Sequence, residues 1–281
     1  MKQLLFVLLS TVAVVLGKAS LRVKWGPGVA NPNQFISLPV TVNEAKSQSW
    51  KLEKRVDKVL PSLVMYCHPS FILCVLFDDT DNAAGLQAAL PQNDVKDVLW
   101  DWKVQGYLKW TPSNGKSYWA KQQYFVTQEY LNIKASQRVA QRKPDTVLQV
   151  GGVWVSGLNG ELFEITKKPE ALLTRQFTEQ GCFNGMGLHF WRLNPQSSCG
   201  STFFPWFLLY SKQRELIGSG MGGALRLDPA VLPKDFYERP GEAALRAIVP
   251  RGPQCLYDLG KSGNLISMHI FYIEEPWKFT C

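Results

Sequence analysis

Recurring pairs of short apolar segments, separated by turn-forming residues, constrain the fold of this chain most strongly. Residues 98–110 alternate between large apolar and polar side chains, which is the pattern of a strand with one buried face. Residues 112–115 follow and contain an Asn-Gly pair, which favours the positive φ angles of a tight hairpin turn. Residues 118–126 then read as a returning strand. This segment is therefore predicted to be an antiparallel hairpin.

The same pattern occurs three more times along the chain. Outside the turns, the paired segments do not resemble one another in sequence, so a large antiparallel sheet is predicted rather than a duplicated unit. The additional pairs are 153–156 with 161–165, 203–210 with 216–217, and 256–259 with 265–273.

Three segments have helical features. In residues 43–60, Asn43 can cap the N-terminus, apolar residues approximate one face, and Pro61 ends the pattern. Residues 127–142 and 241–249 are weaker or shorter candidates. Because strands outnumber helices, the predicted class is α+β: predominantly antiparallel β-sheet in successive hairpins, with a few short helices and stabilising disulfides.

The N-terminal residues 1–19 have the composition of a secretory signal peptide. Lys2 precedes an apolar run at 4–16, and Gly17 and Ala19 are small residues suited to the cleavage site. We therefore expect this leader to be removed and the protein to be secreted.

Residues 20–281 are expected to form one extracellular α+β domain. That length is sufficient for a sizeable core, and the only candidate boundary within it is 142–150. The longest later apolar stretch, 63–77, is interrupted by His68 and Pro69 and is too short to span a membrane. A soluble domain without a transmembrane segment is therefore predicted.

The mature chain would contain six cysteines, an even number that can oxidise completely in an extracellular environment. Pairing is therefore expected, rather than a free catalytic thiol. Sequence does not determine the connectivity, and sequential pairing is the simplest choice. It joins Cys67 to Cys74, Cys182 to Cys199, and Cys255 to Cys281.

The chain carries 31 basic and 23 acidic side chains, a net charge of +8. The densest basic stretch is 134–143. It is interpreted either as a contact surface for anionic lipid headgroups or acidic glycans, or as a solvated helix face, which is the simpler interpretation. The lack of a clustered basic motif argues against a nucleic-acid partner.

The three histidines are the first candidates for chemistry: His68, His189 and His269. None has the close spacing of a preformed metal-ligand pair, so no metal and no cofactor are predicted. His189 follows two glycines and precedes an aromatic segment. It is interpreted either as part of a pocket wall, with its Nε2 as base or donor, or as a residue of a buried strand.

Two further segments resemble ligand-binding motifs without matching them. The glycine-rich residues 218–223 lack the spacing and the Lys-Ser/Thr of phosphate-binding loops, so a β-bulge or mobile loop at a sheet edge is predicted. Asp78, Asp79 and Asp81 lack the glycine and the glutamate of a calcium-binding loop, so a solvated turn is predicted.

Aromatic residues are concentrated in the first predicted hairpin. Trp110 and Trp119 flank a turn that also carries Lys109, Lys116 and Lys121. Aromatic and basic side chains at a hairpin tip suit sugar stacking, a membrane interface or a small-molecule pocket. Packing in the core is the alternative explanation for the same residues.

The favoured hypothesis is a secreted, non-catalytic binding protein with an aromatic-lined pocket or patch. Its partner would be a small apolar ligand, a glycan or a membrane surface. The candidate ligand-binding residues are Trp110, Trp119, Asn184, His189 and Trp191.

The alternative is a secreted hydrolase-type enzyme. In this hypothesis, His189 or His269 acts with a carboxylate such as Glu274 or Asp258. A histidine within hydrogen-bonding distance of a buried carboxylate, in a concave pocket, would favour the enzyme. A third possibility is an interaction protein without a pocket, which would present a broad exposed aromatic patch.

Overall fold

A computed structural model describes residues 18–24, 31–56, 59–173, 175–227 and 236–281. Of the predicted signal peptide, residues 1–17 lie outside the described residues. The described residues form an α+β protein dominated by antiparallel strands, with six short helices and three disulfides, as predicted. None of these helices combines the length and the apolar composition needed to cross a bilayer.

Seventeen strands and six α-helices lie within the described ranges. The strands are β1 (Arg22–Lys24), β2 (Phe35–Ser37), β3 (Lys51–Glu53), β4 (Val64–Cys67), β5 (Leu73–Phe77), β6 (Ala83–Pro91), β7 (Val95–Lys96), β8 (Leu108–Trp110), β9 (Tyr118–Tyr124), β10 (Gly152–Ser156), β11 (Leu162–Thr166), β12 (Thr178–Phe183), β13 (Gly187–Trp191), β14 (Trp206–Tyr210), β15 (Leu216–Ala224), β16 (Arg226–Leu227) and β17 (Leu265–Phe271). The helices are α1 (Val42–Ser47), α2 (Gln128–Asn132), α3 (Ala135–Gln141), α4 (Glu170–Leu173), α5 (Glu242–Ile248) and α6 (Gln254–Ser262).

The strands form two large sheets. The first sheet has the order β11-β10-β9-β6-β5-β4-β3, with β8 also paired to β9, and the second has the order β12-β13-β14-β15-β17-β1-β2. Strands β7 and β16 pair with each other as a small ribbon. The chain passes from the first sheet to the second between residues 166 and 178, and the candidate boundary 142–150 precedes β10.

The two large sheets face each other across the core. Ser219 and Tyr272 from the second half of the chain each donate a hydrogen bond to Gln123 Oε1 on β9, both at 3.0 Å. The Phe125 and Tyr272 rings also meet, with their centroids 5.5 Å apart. Because these buried polar groups bond to each other, they can be enclosed between two apolar sheet faces. The opposite face of each sheet is its outer face.

Two of the predicted hairpins are present, and two are only partly so. Strands β10 and β11 pair directly, as do β14 and β15. Of residues 98–110, only the last three form a strand, because Asp101 Oδ1 accepts backbone hydrogen bonds from Lys103 and Val104 and folds the segment into turns. The predicted strand at 256–259 is wrong, since those residues belong to α6.

The predicted helices are shorter than expected, except for α5, which matches 241–249 closely. Within 43–60, only α1 is helical: its cap is Thr41, whose Oγ1 accepts the Glu44 N–H, and Ser49 follows with a φ of 62°. The expected helix at 127–142 is divided into α2 and α3, because Ile133 adopts an extended conformation. The sequence patterns therefore predicted longer helices than the structure contains, because tertiary packing overrides local helix propensity at their ends.

Residues 218–223 do not form a mobile loop at a sheet edge, because they lie inside β15, a buried strand between β14 and β17; the irregularity in its pairing with β14 falls between Leu216 and Gly218. Their glycines make room for aromatic rings on the outer face. A Cβ on Gly220 would lie 2.0 Å from the Phe207 ring, and one on Gly222 would lie 2.9 Å from the Trp191 ring. The absence of side chains thus allows large neighbours to lie flat across the strand.

Only the first predicted disulfide is correct. Cys67 pairs with Cys74 across adjacent strands, whereas the other two bridges join Cys182 to Cys281 and Cys199 to Cys255. Sequential pairing fails because the chain end returns to the β12–β13 turn, where the Cys281 N–H donates to Asn184 Oδ1. All six cysteines are described and paired, as expected.

Candidate functional site

One row of neighbouring residues across the second sheet forms the base of a candidate site. Trp191 lies opposite Phe207, Phe207 opposite Gly220, Gly220 opposite His269, and His269 opposite Lys24. Because directly opposed residues in a sheet project to the same face, all of these side chains share the outer face. Gly220 contributes no side chain, so the Phe207 and His269 rings approach across it, with centroids 4.9 Å apart.

A carboxylate from outside the large sheets completes the row. Glu238 forms a two-way backbone bridge with Ser267, two residues before His269. Its Oε2 lies 2.7 Å from His269 Nδ1, although the angle is not that of a hydrogen bond, and its Oε1 accepts from Lys24 Nζ at 2.5 Å. The Lys24 side chain is completely buried, and those of His269 and Glu238 are 6% and 10% exposed.

These contacts determine the charge state of the carboxylate. Burial alone raises the pKa of Glu238, but the adjacent His269 and Lys24 outweigh it, so the pKa of Glu238 is below its usual value. The carboxylate is therefore ionised at neutral pH and shared between a lysine and a histidine.

His189 lies on the same face, with its ring centroid 5.9 Å from that of His269. Its Nδ1 lies 3.1 Å from the Gly181 carbonyl oxygen, which assigns the proton to Nδ1 and leaves Nε2 as an acceptor. Burial, reinforced by the nearby His269, lowers the pKa of His189 to about 3. His189 is thus a neutral imidazole, and its buried Nε2 has no hydrogen-bond partner among the described residues.

A cavity of about 40 Å³ lies above this row, between the second sheet and α5. That volume accommodates a few water-sized groups, so it suits a small molecule or one end of a larger one. Its walls are mainly apolar, with a few polar groups on one side, which is the composition typical of ligand sites. The lining residues are His189, Trp191, Phe207, Glu238, Pro240, Leu245, Ile248, Val249, Leu265, Ser267 and His269.

Of the residues proposed from sequence to bind a ligand, His189 and Trp191 line this cavity. Trp191 is buried, and its indole N–H donates to the Phe204 carbonyl. Asn184 does not line the cavity; it is exposed at the β12–β13 turn and holds the C-terminal residue.

The two hairpin tryptophans lie in the half of the chain that forms the first sheet. Trp110 is 1% exposed, packs on Phe71 and donates its indole N–H to the Lys54 carbonyl, so it serves the core and not a hairpin tip. Trp119 is half-buried, and its ring stacks on Trp102 with centroids 5.1 Å apart. These contacts bring neither tryptophan to the histidines.

The carboxylates proposed from sequence are not the partner of His269. Glu274 is exposed and lines a different groove, with Lys167, while Asp258 is exposed on α6 and accepts from Gln254. Glu238 was missed because α5 and α6 separate it from His269 along the chain. No local spacing signals a pair that forms only through the bridge to Ser267.

The acidic turn and the basic stretch singled out from the sequence make structural contacts within the fold. The Asp78 carboxylate accepts from Thr80 and Asn82 inside its own turn, and Asp79 pairs with Arg138, which is buried. The basic stretch 134–143 is therefore partly internal. No cluster of three metal-binding side chains occurs within the part of the chain that is described.

The chemistry of the cavity is the main guide to function, because fold class alone does not specify activity. Its components are a neutral imidazole whose acceptor nitrogen has no donor in the described part of the chain, a second imidazole beside an ionised carboxylate, and a wall of apolar side chains. No protein-family model matches this chain, and neither a curated protein nor a solved structure is recognisably similar to it.

Proposed function

We propose that this is a secreted binding protein whose cavity beneath α5 holds the hydrogen-bond-donating end of a small, mainly apolar ligand. The sequence of residues 1–19 and the three disulfides support an extracellular location. The observation that carries the ligand assignment is the buried Nε2 of His189, which has no partner among the described residues and borders the cavity.

A buried acceptor without a donor costs about 1–3 kcal/mol. A hydroxyl or N–H group in the cavity would recover that energy by donating to His189 Nε2. Most of the remaining surface offered to the ligand comes from aromatic and aliphatic side chains, such as Trp191, Phe207 and Ile248. A ligand with one donor on an apolar body therefore matches both parts of the cavity.

Isomeric probes test this assignment. 1-Butanol carries a donor, whereas methyl propyl ether has the same atoms without one. We expect 1-butanol to shift the His189 imidazole resonances saturably and to bind about ten-fold more tightly than the ether, which corresponds to one net hydrogen bond. Native mass spectrometry of the purified protein would detect a ligand already present.

A His189→Leu variant should bind the two isomers equally, while a His68→Leu control should retain the preference for the alcohol. His68 is a suitable control because it contacts Ser70, Trp50 and Phe236 and does not line the cavity. Equal affinities of the wild-type protein for alcohol and ether would refute the assignment.

A hydrolase-type enzyme is the second candidate, favoured by the 2.7 Å contact between His269 and a buried carboxylate in the same cavity. Glu238 would stabilise a protonated His269 during proton transfer, and His189 Nε2 would orient a water or a substrate hydroxyl. Hydrolysis of a panel of short-chain esters tests it. His269→Gln and Glu238→Gln should each reduce turnover by about 10²-fold or more; wild-type protein that binds alcohols but hydrolyses no ester would exclude this candidate.

A further inference from the structure

The two large sheets are built on one plan. The first sheet runs through β3, β4, β5, β6, β9, β10 and β11, and the second runs through β12, β13, β14, β15, β17, β1 and β2 in the corresponding order. The fourth strand in both series has nine residues, and the fifth has seven. The N-terminal hairpin β1–β2 supplies the last two strands of the second sheet. The structure thus contains the repeat that the sequences of the hairpins do not reveal.

The register of the strands matches as well as their order. In the first sheet, Cys67 lies opposite Cys74, Cys74 opposite Gln87, and Gln87 opposite Gln122. These positions correspond to those of Trp191, Phe207, Gly220 and His269 in the second sheet.

The segments outside the rows also correspond. Leu108 on β8 lies opposite Ala120, two residues before Gln122, just as Glu238 lies opposite Ser267, two residues before His269. Phe125 and Tyr272, which directly follow β9 and β17, contact each other, and β7 pairs with β16. Contacts between equivalent elements are expected when two halves are related by an approximate two-fold axis.

This correspondence identifies a second cavity, of about 60 Å³, on the outer face of the first sheet. Gln122 occupies the position of His269, and Leu108 that of Glu238. The Gln122 side chain donates from Nε2 to Gln87 Oε1 at 2.7 Å and accepts from the Tyr124 hydroxyl. None of the described residues that line this cavity is charged. Hydrogen-bonded amides therefore lie on this face of the first sheet, where the second sheet has the ionic cluster of Lys24, Glu238 and His269.

The second cavity adjoins an open groove of about 370 Å³, because Tyr124 and Leu162 line both. Trp154 borders the groove and is half-buried, and it lies on the same face of β10 as Ser156, which lines the cavity. Leu108 and Leu162 are each 44% exposed. The combined surface thus has an indole and aliphatic side chains beside a polar interior.

We propose that this cavity and groove form a second binding site, for a neutral saccharide. The indole of Trp154 offers a flat apolar surface for one face of a sugar ring. Beyond the hydrogen bond that joins them, the side-chain amides of Gln87 and Gln122 retain donor and acceptor capacity for sugar hydroxyls. An uncharged ligand fits because the described lining of the cavity offers no cation to compensate an anion, and Glu129 on the groove adds negative charge. This site is independent of the cavity beneath α5.

Titration with two neutral trisaccharides, maltotriose and triacetylchitotriose, tests the proposal by monitoring the indole N–H resonance of Trp154. We expect at least one to shift this resonance saturably. Calorimetric titration of a Trp154→Phe variant, which lacks that resonance, should show binding about ten-fold weaker than that of the wild-type protein, the contribution expected from loss of aromatic contact. The matched control is Trp277→Phe, another half-buried tryptophan, which contacts Phe35 and Arg22 and should bind normally.

The proposal is wrong if neither trisaccharide shifts the Trp154 resonance at concentrations up to about 10 mM. That concentration exceeds the dissociation constant expected of a specific site. It is also wrong if Trp154→Phe binds as tightly as the wild-type protein, or if a sulfated trisaccharide binds as well as the neutral ones. Alcohol binding at His189, measured on the same samples, reports separately on the other cavity.

Discussion

The buried imidazole of His189 shows how single residues determine the properties of this protein. Its Nδ1 proton is directed to a backbone carbonyl, and burial together with the nearby His269 holds the ring in its neutral form. The neighbouring Glu238 is held in its charged form by Lys24 and His269. One titratable side chain of the cavity is therefore held neutral and another is held charged. The immediate contacts of each side chain, rather than its residue type, determine its charge state.

The lowered pKa of His189 predicts a pH-dependent stability. Between the ordinary histidine value of 6.5 and about 3, the unfolded chain binds a proton that the folded protein does not, so stability falls as pH falls. From pH 6.5 to 5, the free energy of unfolding should decrease by about 1.5 kcal/mol from this group. The lowered pKa of Glu238 acts in the same direction only below its ordinary value of 4.5.

Urea unfolding at several pH values would measure this effect. A His189→Gln variant has no titrating side chain at this position and should lose most of the decrease between pH 6.5 and 5. Parallel pH profiles for the variant and the wild-type protein would show that His189 is not kept neutral by the fold.

At the scale of secondary structure, β15 determines the shape of the candidate site. Its neighbours β14 and β17 carry Phe207 and His269, and the missing side chain at Gly220 lets those two rings meet. Glycine usually weakens a strand, because it loses more conformational entropy and packs less surface. Here that cost is offset by the aromatic packing that glycine permits.

Gly220→Ala should therefore be strongly destabilising. Its new Cβ would lie 2.0 Å from the Phe207 ring and 2.5 Å from the Met268 carbonyl oxygen, so both backbone and side chain must move. We expect a loss of about 3 kcal/mol or more in chemical denaturation. Gly241→Ala is the matched control, since among the described residues beyond its two chain neighbours no atom lies within 4 Å of the position that its new Cβ would occupy, and it should cost less than about 1 kcal/mol.

A smaller side chain at position 207 distinguishes a clash from a general effect of alanine in the strand. Adding Phe207→Leu to Gly220→Ala should restore part of the lost stability. If the double variant loses the full sum of the two single effects, direct contact with the ring is not the cause.

At the scale of the whole molecule, the two chain ends complete the second half. β1 pairs with β17 and contributes Lys24 to the site, while the C-terminal Cys281 is bonded to Cys182 at the end of β12. The second sheet therefore contains strands from both ends of the chain. Its formation requires contacts that are far apart in sequence, which slows folding relative to local hairpins.

The bridge between Cys182 and Cys281 should contribute more to stability than the one between Cys67 and Cys74. The two bridges span 99 and 7 residues, and a longer loop loses more entropy when it is closed in the unfolded chain. Replacing both cysteines of the long-range bridge by serine should cost about 2–5 kcal/mol, compared with a smaller loss for the short one. Thermal unfolding of the two double variants measures the difference, and equal losses would contradict it.

Local sequence patterns predicted the antiparallel class and several of its elements correctly. Hairpin β10–β11 and helix α5 follow from turn residues and apolar spacing, which act within a few residues. The same patterns failed for residues 98–107 and 256–259, where side-chain hydrogen bonds and packing determine the backbone. His189 and Trp191 were identified because both lie in one short segment.

The sequence by itself therefore determined the strand-rich class and the even set of cysteines. Only the tertiary structure decided the disulfide connectivity, the pairing of Glu238 with His269, the burial of the glycine strand and the common plan of the two sheets. The physical reason is the range of the interactions. Turn and alternation signals act between neighbours, whereas register across a sheet places distant residues opposite each other, and that register depends on the packing of both sheet faces.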